Sequence, residues 1–176
     1  VVKTMDVATP AWDLFLSGKQ VMELWRELLQ HGAKPVGVGV WDVLRVEAGR
    51  PAYGQDMDDS TLLSETGLVD RAVDHNKGCY TGQEVIVRIR DRGHVNRSFR
   101  GLLLADGPIP KSNAELFHDG RAAGHITSVV ESPRYGGGIA LGYVRKEVFT
   151  GDRVAVASPD GPIAEVRDLN SHWALS

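Results

Sequence analysis

The sequence predicts an α+β fold in two parts, a mixed α/β part over residues 1–96 and a small antiparallel β-barrel over residues 97–176. Two observations carry this prediction. Before residue 93 the apolar residues recur mainly at helical spacing, and after Arg97 they fall into short runs bounded by glycine, proline, asparagine or aspartate. Short strands at such spacing are typical of a small barrel or sandwich. The chain is therefore divided near residues 93–98.

The composition is that of an ordinary globular protein, with 42% hydrophobic and 24% charged residues in a chain of 176. No run of eighteen apolar residues occurs, which argues against a membrane partner. A net charge of −3 argues against general nucleic-acid binding. The single cysteine allows no internal disulfide, so we expect a reducing, cytoplasmic location. The chain begins at Val1 without an apolar leader, and we expect an amino-terminal portion to be missing.

The first helix is predicted from Gly18 to about His31. Ser17 and Gln20 have the spacing of a capping box, and Gly32 supplies the stop. Apolar residues recur at helical spacing, which predicts that one face packs on the core. These residues are Val21, Leu24, Trp25, Leu28 and Leu29.

The next segment begins with alternating valine and glycine over residues 35–40 and continues as WDVLRVEAG. Trp41, Leu44 and Ala48 suit a helix, whereas Leu44 and Val46 suit a strand, so periodicity leaves both possibilities open. A turn at residues 49–51 ends the segment. The polar and acidic residues 53–64 are predicted to form a loop.

A second helix is predicted from Gly82 to about Asp91, with a stop near Gly93. Thr81 and Glu84 form a second capping-box pattern. Apolar residues follow at both helical spacing and strand alternation, and the cap favours the helix. The strands of the barrel are then predicted in the apolar runs at 100–105, 114–117, 124–130, 138–144, 152–158 and 162–169. The triple glycine at 136–138 is predicted to be a hairpin turn, since no Lys-Ser/Thr pair follows it.

The segment KGCYTGQE, residues 77–84, carries the candidate chemistry. Lys77 and the start of the predicted helix both favour the thiolate form of Cys79. Gly78 and Gly82 allow tight turns and close approach by a ligand. Five arginines between residues 86 and 100, against one aspartate, predict either a solvated face or a local anion site. The competing interpretation of a lone cysteine is a small buried hydrophobe, and no histidine has zinc-ligand spacing to it.

The octapeptide resembles the signature of the YgfZ family of folate-binding, iron–sulfur cluster assembly and repair proteins. The resemblance continues through residues 84–88, 92–97, 124–128 and 139–144. The wider superfamily includes the aminomethyltransferase, or T-protein, of the glycine cleavage system. Its pattern is similar to DxLRxEAG at 42–49 and YGxDMD at 53–58. The resemblance implies that residues 1–96 are the second half of a folate-binding α/β domain and that residues 97–176 are the carboxy-terminal barrel.

This resemblance implies a tetrahydrofolate-binding accessory protein for iron–sulfur cluster assembly or repair, with iron–sulfur client proteins as partners. Cys79 would be the functional thiol and Lys77 would assist it. Folate would be held by Asp13, Trp41, Tyr80, Gln83, Glu84 and Arg88. The alternative is a tetrahydrofolate-dependent aminomethyltransferase of the T-protein class. Cys79 favours the first interpretation, because T-proteins ordinarily carry no thiol at that position. A folate- or anion-binding module with a buried cysteine is the third possibility.

Two positions depart from the T-protein pattern. Asp13 takes the place of a folate-contacting glutamate and has a shorter reach. The T-protein triplet Ala-Arg-Asp reads Val-Trp-Asp over residues 40–42, so an arginine that would bind folate is replaced by Trp41. An indole ring can stack on a flat ligand but cannot pair with a carboxylate. Arg88 or Arg90 is expected to substitute for the missing cation. The catalytic aspartate of T-proteins would lie in the missing amino-terminal portion.

Overall fold

The computed structural model describes residues 1–4, 7, 9–169 and 173. The amino-terminal part contains β1 Val2–Thr4, β2 Ala11–Asp13, α1 Gly18–Gln30, α2 Val38–Glu47, a 3₁₀ turn at Leu63–Glu65, α3 Val69–Ala72 and α4 Gln83–Arg92. The barrel strands are β3 Arg97–Leu104, β4 Glu115–His118, β5 Arg121–Ser132, β6 Gly137–Arg145, β7 Arg153–Val156 and β8 Ile163–Arg167. The predicted α+β class is confirmed.

Helix α1 forms where the sequence predicts it. Gln20 Oε1 accepts hydrogen bonds from the backbone N–H of Ser17 at 3.3 Å and from its hydroxyl at 2.8 Å, which closes the predicted capping box. The prediction of a core-facing stripe is wrong for this chain, because every residue of α1 is described and none is buried. Trp25 is 48% exposed. The periodicity of apolar residues indicates that one face of a helix is apolar, but it does not indicate which element packs against that face.

Helix α2 resolves the segment that periodicity left open, and it begins at Val38. Its last turn buries Arg45, Val46 and Glu47 against strands β5 and β6 of the barrel. The helix ends at Ala48 and the chain reverses through Gly49, whose φ of +66° is readily adopted only without a Cβ atom. Residues that point away from the barrel on α2, such as Trp41, stay exposed.

Helix α4 confirms the second predicted helix, but the predicted cap is wrong. The N-cap is Gly82, with φ of +88°, and no side chain caps the helix. A left-handed N-cap suits glycine, which lacks a Cβ atom. The N-cap is therefore Gly82, one residue after the predicted N-cap Thr81. Gly93 ends the helix as predicted.

The carboxy-terminal part is a closed antiparallel barrel with strand order β3-β6-β5-β4-β7-β8. Each of the six predicted apolar runs overlaps one of its strands. Of the three glycines predicted to form a hairpin turn, Gly136 lies in the β5–β6 turn with φ of +69°, whereas Gly137 and Gly138 are the first residues of β6. The interior of the barrel is filled by buried aliphatic side chains from all six strands, including Leu102, Leu116, Ile126 and Val154. Closure leaves the sheet without free edges.

A second apolar cluster joins α2 to the outside of the barrel, and Trp173 is its largest member. The indole N–H of Trp173 donates to the carbonyl of Val46 at 3.1 Å, and its side chain is fully buried. The ring packs against Gly101 of β3, where an added Cβ would stand 2.3 Å from the indole Cε3. Val46 and Trp173 therefore pack helix and barrel together through a position where only glycine fits.

Gly101→Ala tests this contact. The new methyl group overlaps the indole, so we expect the free energy of unfolding to fall by about 1–3 kcal/mol. The matched control is Gly137→Ala in β6, where nothing lies within 4 Å of the added Cβ. We expect this control to change stability by less than about 1 kcal/mol. Urea unfolding of both variants is the measurement, and equal stabilities would contradict the packing described.

Candidate functional site

A buried ion pair between α2 and the following loop lies at the junction of the two parts. Arg45 Nη1 contacts Asp56 Oδ2 at 2.8 Å, and the two residues are only 4% and 3% exposed. Arg45 also donates from Nε to Asp42 at 2.9 Å and from Nη2 to the hydroxyl of Ser128 at 2.9 Å. Buried charges are costly unless they are paired and hydrogen-bonded, and these contacts satisfy the Arg45 guanidinium.

Asp56 is held by four donors, two on each carboxylate oxygen. Oδ2 accepts from Arg45 and from the backbone N–H of Ala52 at 2.8 Å. Oδ1 accepts from the hydroxyls of Thr127 at 2.5 Å and Ser128 at 2.6 Å. Consecutive residues of a regular strand point to opposite faces, so two neighbouring hydroxyls reach one oxygen only because β5 has a bulge between Ile126 and Ser128.

Three of the sequence motifs therefore meet in one hydrogen-bonded cluster. Arg45 comes from the 42–49 motif, Asp56 from the 53–58 motif, and Thr127 and Ser128 from the 124–128 motif. A parallel contact links Glu47 Oε1 to the hydroxyl of Ser132 at 2.5 Å. We call Arg45, Asp56, Thr127 and Ser128 the junction cluster. Its groups are directed at one another, so its chemistry is structural.

An open cleft of about 420 Å³ lies beside the junction cluster. Three of its eight described lining residues are arginines and none carries a carboxylate. The lining comprises Trp41, Arg45, Arg50, Pro51, Ala52, Leu68, Arg71 and Ala72. The cleft thus combines guanidinium groups with an indole that is 43% exposed. Such a wall suits an anion that carries a flat ring.

A smaller cleft of about 240 Å³ at the end of the barrel is lined by Arg97, His125, Tyr143 and their neighbours. The Arg97 guanidinium lies 4.6 Å from the centre of the Tyr143 ring and pairs with Glu65 at 2.9 Å. Burial, and then the charge of Arg97, lowers the pKa of His125 below its ordinary value. Burial also raises the pKa of Tyr143 to about 12. Both groups are therefore neutral at physiological pH.

The KGCYTGQE segment is an exposed approach to α4. Cys79 is a free, exposed thiol three residues before the N-cap at Gly82. The Lys77 ammonium lies 4.8 Å from the centre of the Tyr80 ring, which is a cation–π contact. The alternative of a cysteine buried as a small hydrophobe is wrong. Exposure alone does not assign a role to the thiol, which stays a prediction.

The predicted folate residues are distributed over separate surfaces. Trp41 lines the arginine cleft, while Asp13 is exposed at the end of β2. Tyr80 precedes α4 and is half-buried. Gln83, Glu84 and Arg88 lie on α4, where Gln83 is half-buried and the other two are exposed. The expected substitute cations do not line the cleft, and Arg90 instead bonds Asp91 and His75. The binding roles of all six residues stay predictions.

Arg50 and Arg71 are the cleft residues that the sequence did not single out. Arg50 follows the helix-ending glycine and looks like part of a turn. Arg71 lies in α3, in an acidic stretch that has no chemical motif. Their only signal was their positive charge, and no local pattern shows that they line the same cleft.

Two absences concern the residues that the structure describes, 1–4, 7, 9–169 and 173. Among them no group of three histidine, cysteine, aspartate or glutamate side chains is placed to hold a metal ion. In the same residues no helix is both long and apolar enough to cross a membrane.

Comparison with known proteins finds two domain matches in order along the chain. Residues 7–77 match the family model described as the GCVT N-terminal domain, and residues 97–167 match the glycine cleavage T-protein C-terminal barrel domain. The solved structure of glycine cleavage system aminomethyltransferase T from Bartonella henselae is similar, with a TM-score of 0.73 and 26% identity. That similarity covers 85% of this chain and 42% of the Bartonella chain.

Curated relatives agree with these matches. The aminomethyltransferase of Thermosynechococcus vestitus is 33% identical over 84% of this chain and 40% of its own length. That of Thermotoga maritima is 33% identical over 94% of this chain and 45% of its own length. A putative chloroplastic transferase of Arabidopsis thaliana is 30% identical over 91% of this chain and 37% of its own. The chain spans less than half the length of these relatives, and the narrower YgfZ resemblance gains no support from them.

Asp56→Asn tests the junction cluster. The amide keeps the shape of the carboxylate but leaves the buried Arg45 without its main counter-charge, so we expect a loss of about 3–5 kcal/mol in the free energy of unfolding. Asp42→Asn is the matched control, since the Asp42 side chain is 41% exposed and its loss should cost less than about 1 kcal/mol. Denaturant unfolding measures both, and similar losses would contradict a buried network.

Proposed function

We propose that this chain, which carries matches to the GCVT N-terminal domain and to the glycine cleavage T-protein C-terminal barrel domain, forms a tetrahydrofolate-binding part of a protein of the aminomethyltransferase class. The observation that carries the proposal is the pair of family domains, in order and joined by the junction cluster. The relatives named as aminomethyltransferases support this class over iron–sulfur cluster maintenance.

The residues of the arginine cleft fit the chemistry of tetrahydrofolate. The ligand has a flat ring system at one end and carboxylates at the other, and an open cleft lined by the indole of Trp41 and by arginine side chains suits both. The absence of a carboxylate from the eight described lining residues removes one source of repulsion. Trp41 would contact a ring face, and the nearby arginines would orient the anionic end.

The part played by this chain is to bind and orient rather than to move a proton. The T-protein resemblance matches no position of this chain to the catalytic aspartate. The rigid junction cluster would hold α2, and with it Trp41, at a constant position against the barrel. Holding a ligand in one orientation is itself a large contribution to a group transfer, because it removes the entropic cost of alignment.

The test uses the full-length protein. We expect tetrahydrofolate to bind and to accept a one-carbon unit from an aminomethylated donor, and Trp41→Leu to weaken tetrahydrofolate binding about tenfold through the lost ring contact. Isothermal titration and a transfer assay are the measurements. Trp12→Leu is the matched control, because Trp12 is exposed but does not line the cleft. Absence of both binding and transfer would overturn the proposal.

The iron–sulfur role is a second candidate, favoured by the exposure of Cys79. A functional thiol must be reachable by its partner, and this one is. Cys79→Ser separates the two functions, because serine keeps the size of the side chain and removes the sulfur. We expect one-carbon transfer to be unchanged in this variant if the T-protein class is correct. The second candidate would be favoured by two results together. Iron–sulfur enzymes would lose activity in cells that carry only the Cys79→Ser protein, and neither the unaltered protein nor the variant would transfer a one-carbon unit.

A further inference from the structure

We propose that the smaller cleft at the end of the barrel binds a phosphate group, which Arg97 and Arg145 hold from two strands and to which His125 donates a hydrogen bond. We call this cleft, whose walls include Arg97, His125, Tyr143 and Arg145, the barrel-end cleft. Among the described lining residues, none is shared with the cleft beside Trp41. The site is thus independent of the one proposed for tetrahydrofolate.

The strand register places two arginines side by side. Arg97 begins β3 and Arg145 ends β6, and the two are direct partners in the antiparallel pairing of these strands. Side chains of direct partners lie on one face of the sheet, with Cβ atoms about 4.5–5.5 Å apart, and like charges in that position repel each other. An anion bound between the two guanidiniums would replace this repulsion with two attractions.

The guanidinium of Arg145 is available to a ligand. The side chain is exposed, and within the described residues it makes no hydrogen bond or ion pair. Arg145 lies two residues after Tyr143 on β6. Because alternate residues of a strand share a face, it stands on the same face of the barrel as the Tyr143 ring.

The guanidinium of Arg97 is already oriented beside the cleft. Its Nε donates to Glu65 Oε2 at 2.9 Å, and its central carbon lies 4.6 Å from the centre of the Tyr143 ring. The contact with Glu65 uses the Nε donor, so the Nη donors of the same fork are available to an anion. A guanidinium that is held in advance loses less conformational entropy on binding than a mobile one does.

His125 completes the wall with a neutral donor. It is the direct partner of Tyr143 in the pairing of β5 with β6, and the centres of the two rings lie 5.9 Å apart. Burial, and then the charge of Arg97, lower the pKa of His125, so at neutral pH its imidazole is uncharged and carries one N–H donor. A neutral imidazole can bond a phosphate oxygen without adding to the repulsion between the two arginines.

The charges around the barrel-end cleft favour an anion in this position. Its seven described lining residues include two arginines and no carboxylate. Glu65 is paired with Arg97, and the charge of Asp58 also interacts with Arg97. The adjacent cleft of about 520 Å³ shares Arg145, but its lining includes two carboxylates, which would repel an anion. The anion is therefore expected in the smaller cleft.

Size and charge favour phosphate over other anions. A volume of about 240 Å³ is below the ~300–1,000 Å³ that is typical of clefts for drug-sized ligands, so a small group fits inside. A phosphate dianion balances two guanidiniums and offers oxygens to both forks, whereas a carboxylate has one charge and one pair of oxygens. The phosphate is either the free ion or the end of an ester whose remainder lies outside the cleft.

The experiment measures binding to the full chain by isothermal titration at mildly alkaline pH, where phosphate is a dianion. Ionic strength is held constant, because salt screens such contacts. The probes are inorganic phosphate, glycerol 3-phosphate and acetate, each titrated into the unaltered protein, Arg145→Gln and Arg145→Lys. Arg121→Gln is the matched control, because Arg121 is an exposed arginine at the start of β5 that lines only the adjacent cleft of the two.

We expect phosphate to bind at least about tenfold more tightly than acetate. Arg145→Gln should weaken phosphate binding about tenfold, and Arg145→Lys should fall between, because it keeps the charge and loses the paired donors. Arg121→Gln should bind like the unaltered protein. Circular dichroism of every variant checks that the fold is retained.

Two further readouts come from the same samples. Phosphate should raise the melting temperature of the unaltered protein but not that of Arg145→Gln, because a ligand stabilises only a folded state that binds it. Tighter binding of glycerol 3-phosphate than of inorganic phosphate would identify a phosphorylated organic molecule as the ligand. Otherwise the free ion is the ligand, and in both cases the phosphate site is supported.

Four results would each overturn the inference. They are no binding of either phosphate probe at millimolar concentration, acetate binding as tight as that of phosphate, phosphate binding unchanged in Arg145→Gln, and an equal loss in Arg121→Gln. The last result would place the anion in the adjacent cleft. The proposed function stands or fails separately, because tetrahydrofolate binding is measured through Trp41→Leu, on a different cleft.

Discussion

The buried pair of Arg45 and Asp56 is the interaction on which the architecture depends. Both charges are almost completely removed from water, and their stability rests on Thr127, Ser128 and the backbone of Ala52. Each group is acceptable in the interior only while the others are in place, because an isolated buried charge costs several kcal/mol. Helix, loop and barrel are consequently locked in one relative arrangement.

Packing and hydrogen bonding cooperate at this junction. The apolar cluster around Trp173 holds α2 against β3, and the polar cluster holds it against β5. The apolar contact buries large side chains, while the polar contact specifies register, since hydrogen bonds tolerate little displacement. Together they present the free face of α2, with Trp41, to the cleft. The candidate site is therefore built on a rigid element, which favours precise positioning of a ligand.

The amino-terminal segment has a different character. From Trp12 to Trp41 the chain exposes many large apolar side chains, among them Phe15 at 75% and Val38 at 78%. Stably folded monomers rarely leave such surface uncovered. The chain spans less than half the length of its curated relatives, so the activity assigned to those longer proteins is a proposal for this chain. The T-protein class is favoured over iron–sulfur maintenance by the relatives, while the exposed Cys79 keeps the second function open to test.

The sequence by itself determined the local elements and the fold class. Helix α1 with its Ser17 cap, helix α4 and the six barrel strands were predictable, because spacing of apolar residues and turn chemistry act over a few neighbouring positions. The sequence did not reveal that the N-cap of α4 is Gly82 rather than Thr81. The φ angle at one residue depends on the direction from which the preceding segment enters the helix. The tertiary structure alone decided what covers each apolar face and which distant polar groups meet. Asp56 and Ser128 are 72 positions apart, and Arg50 and Arg71 line the same cleft only through the placement of α2 and α3. Such contacts depend on how whole helices and strands pack together, and no periodic pattern in the sequence indicates that packing.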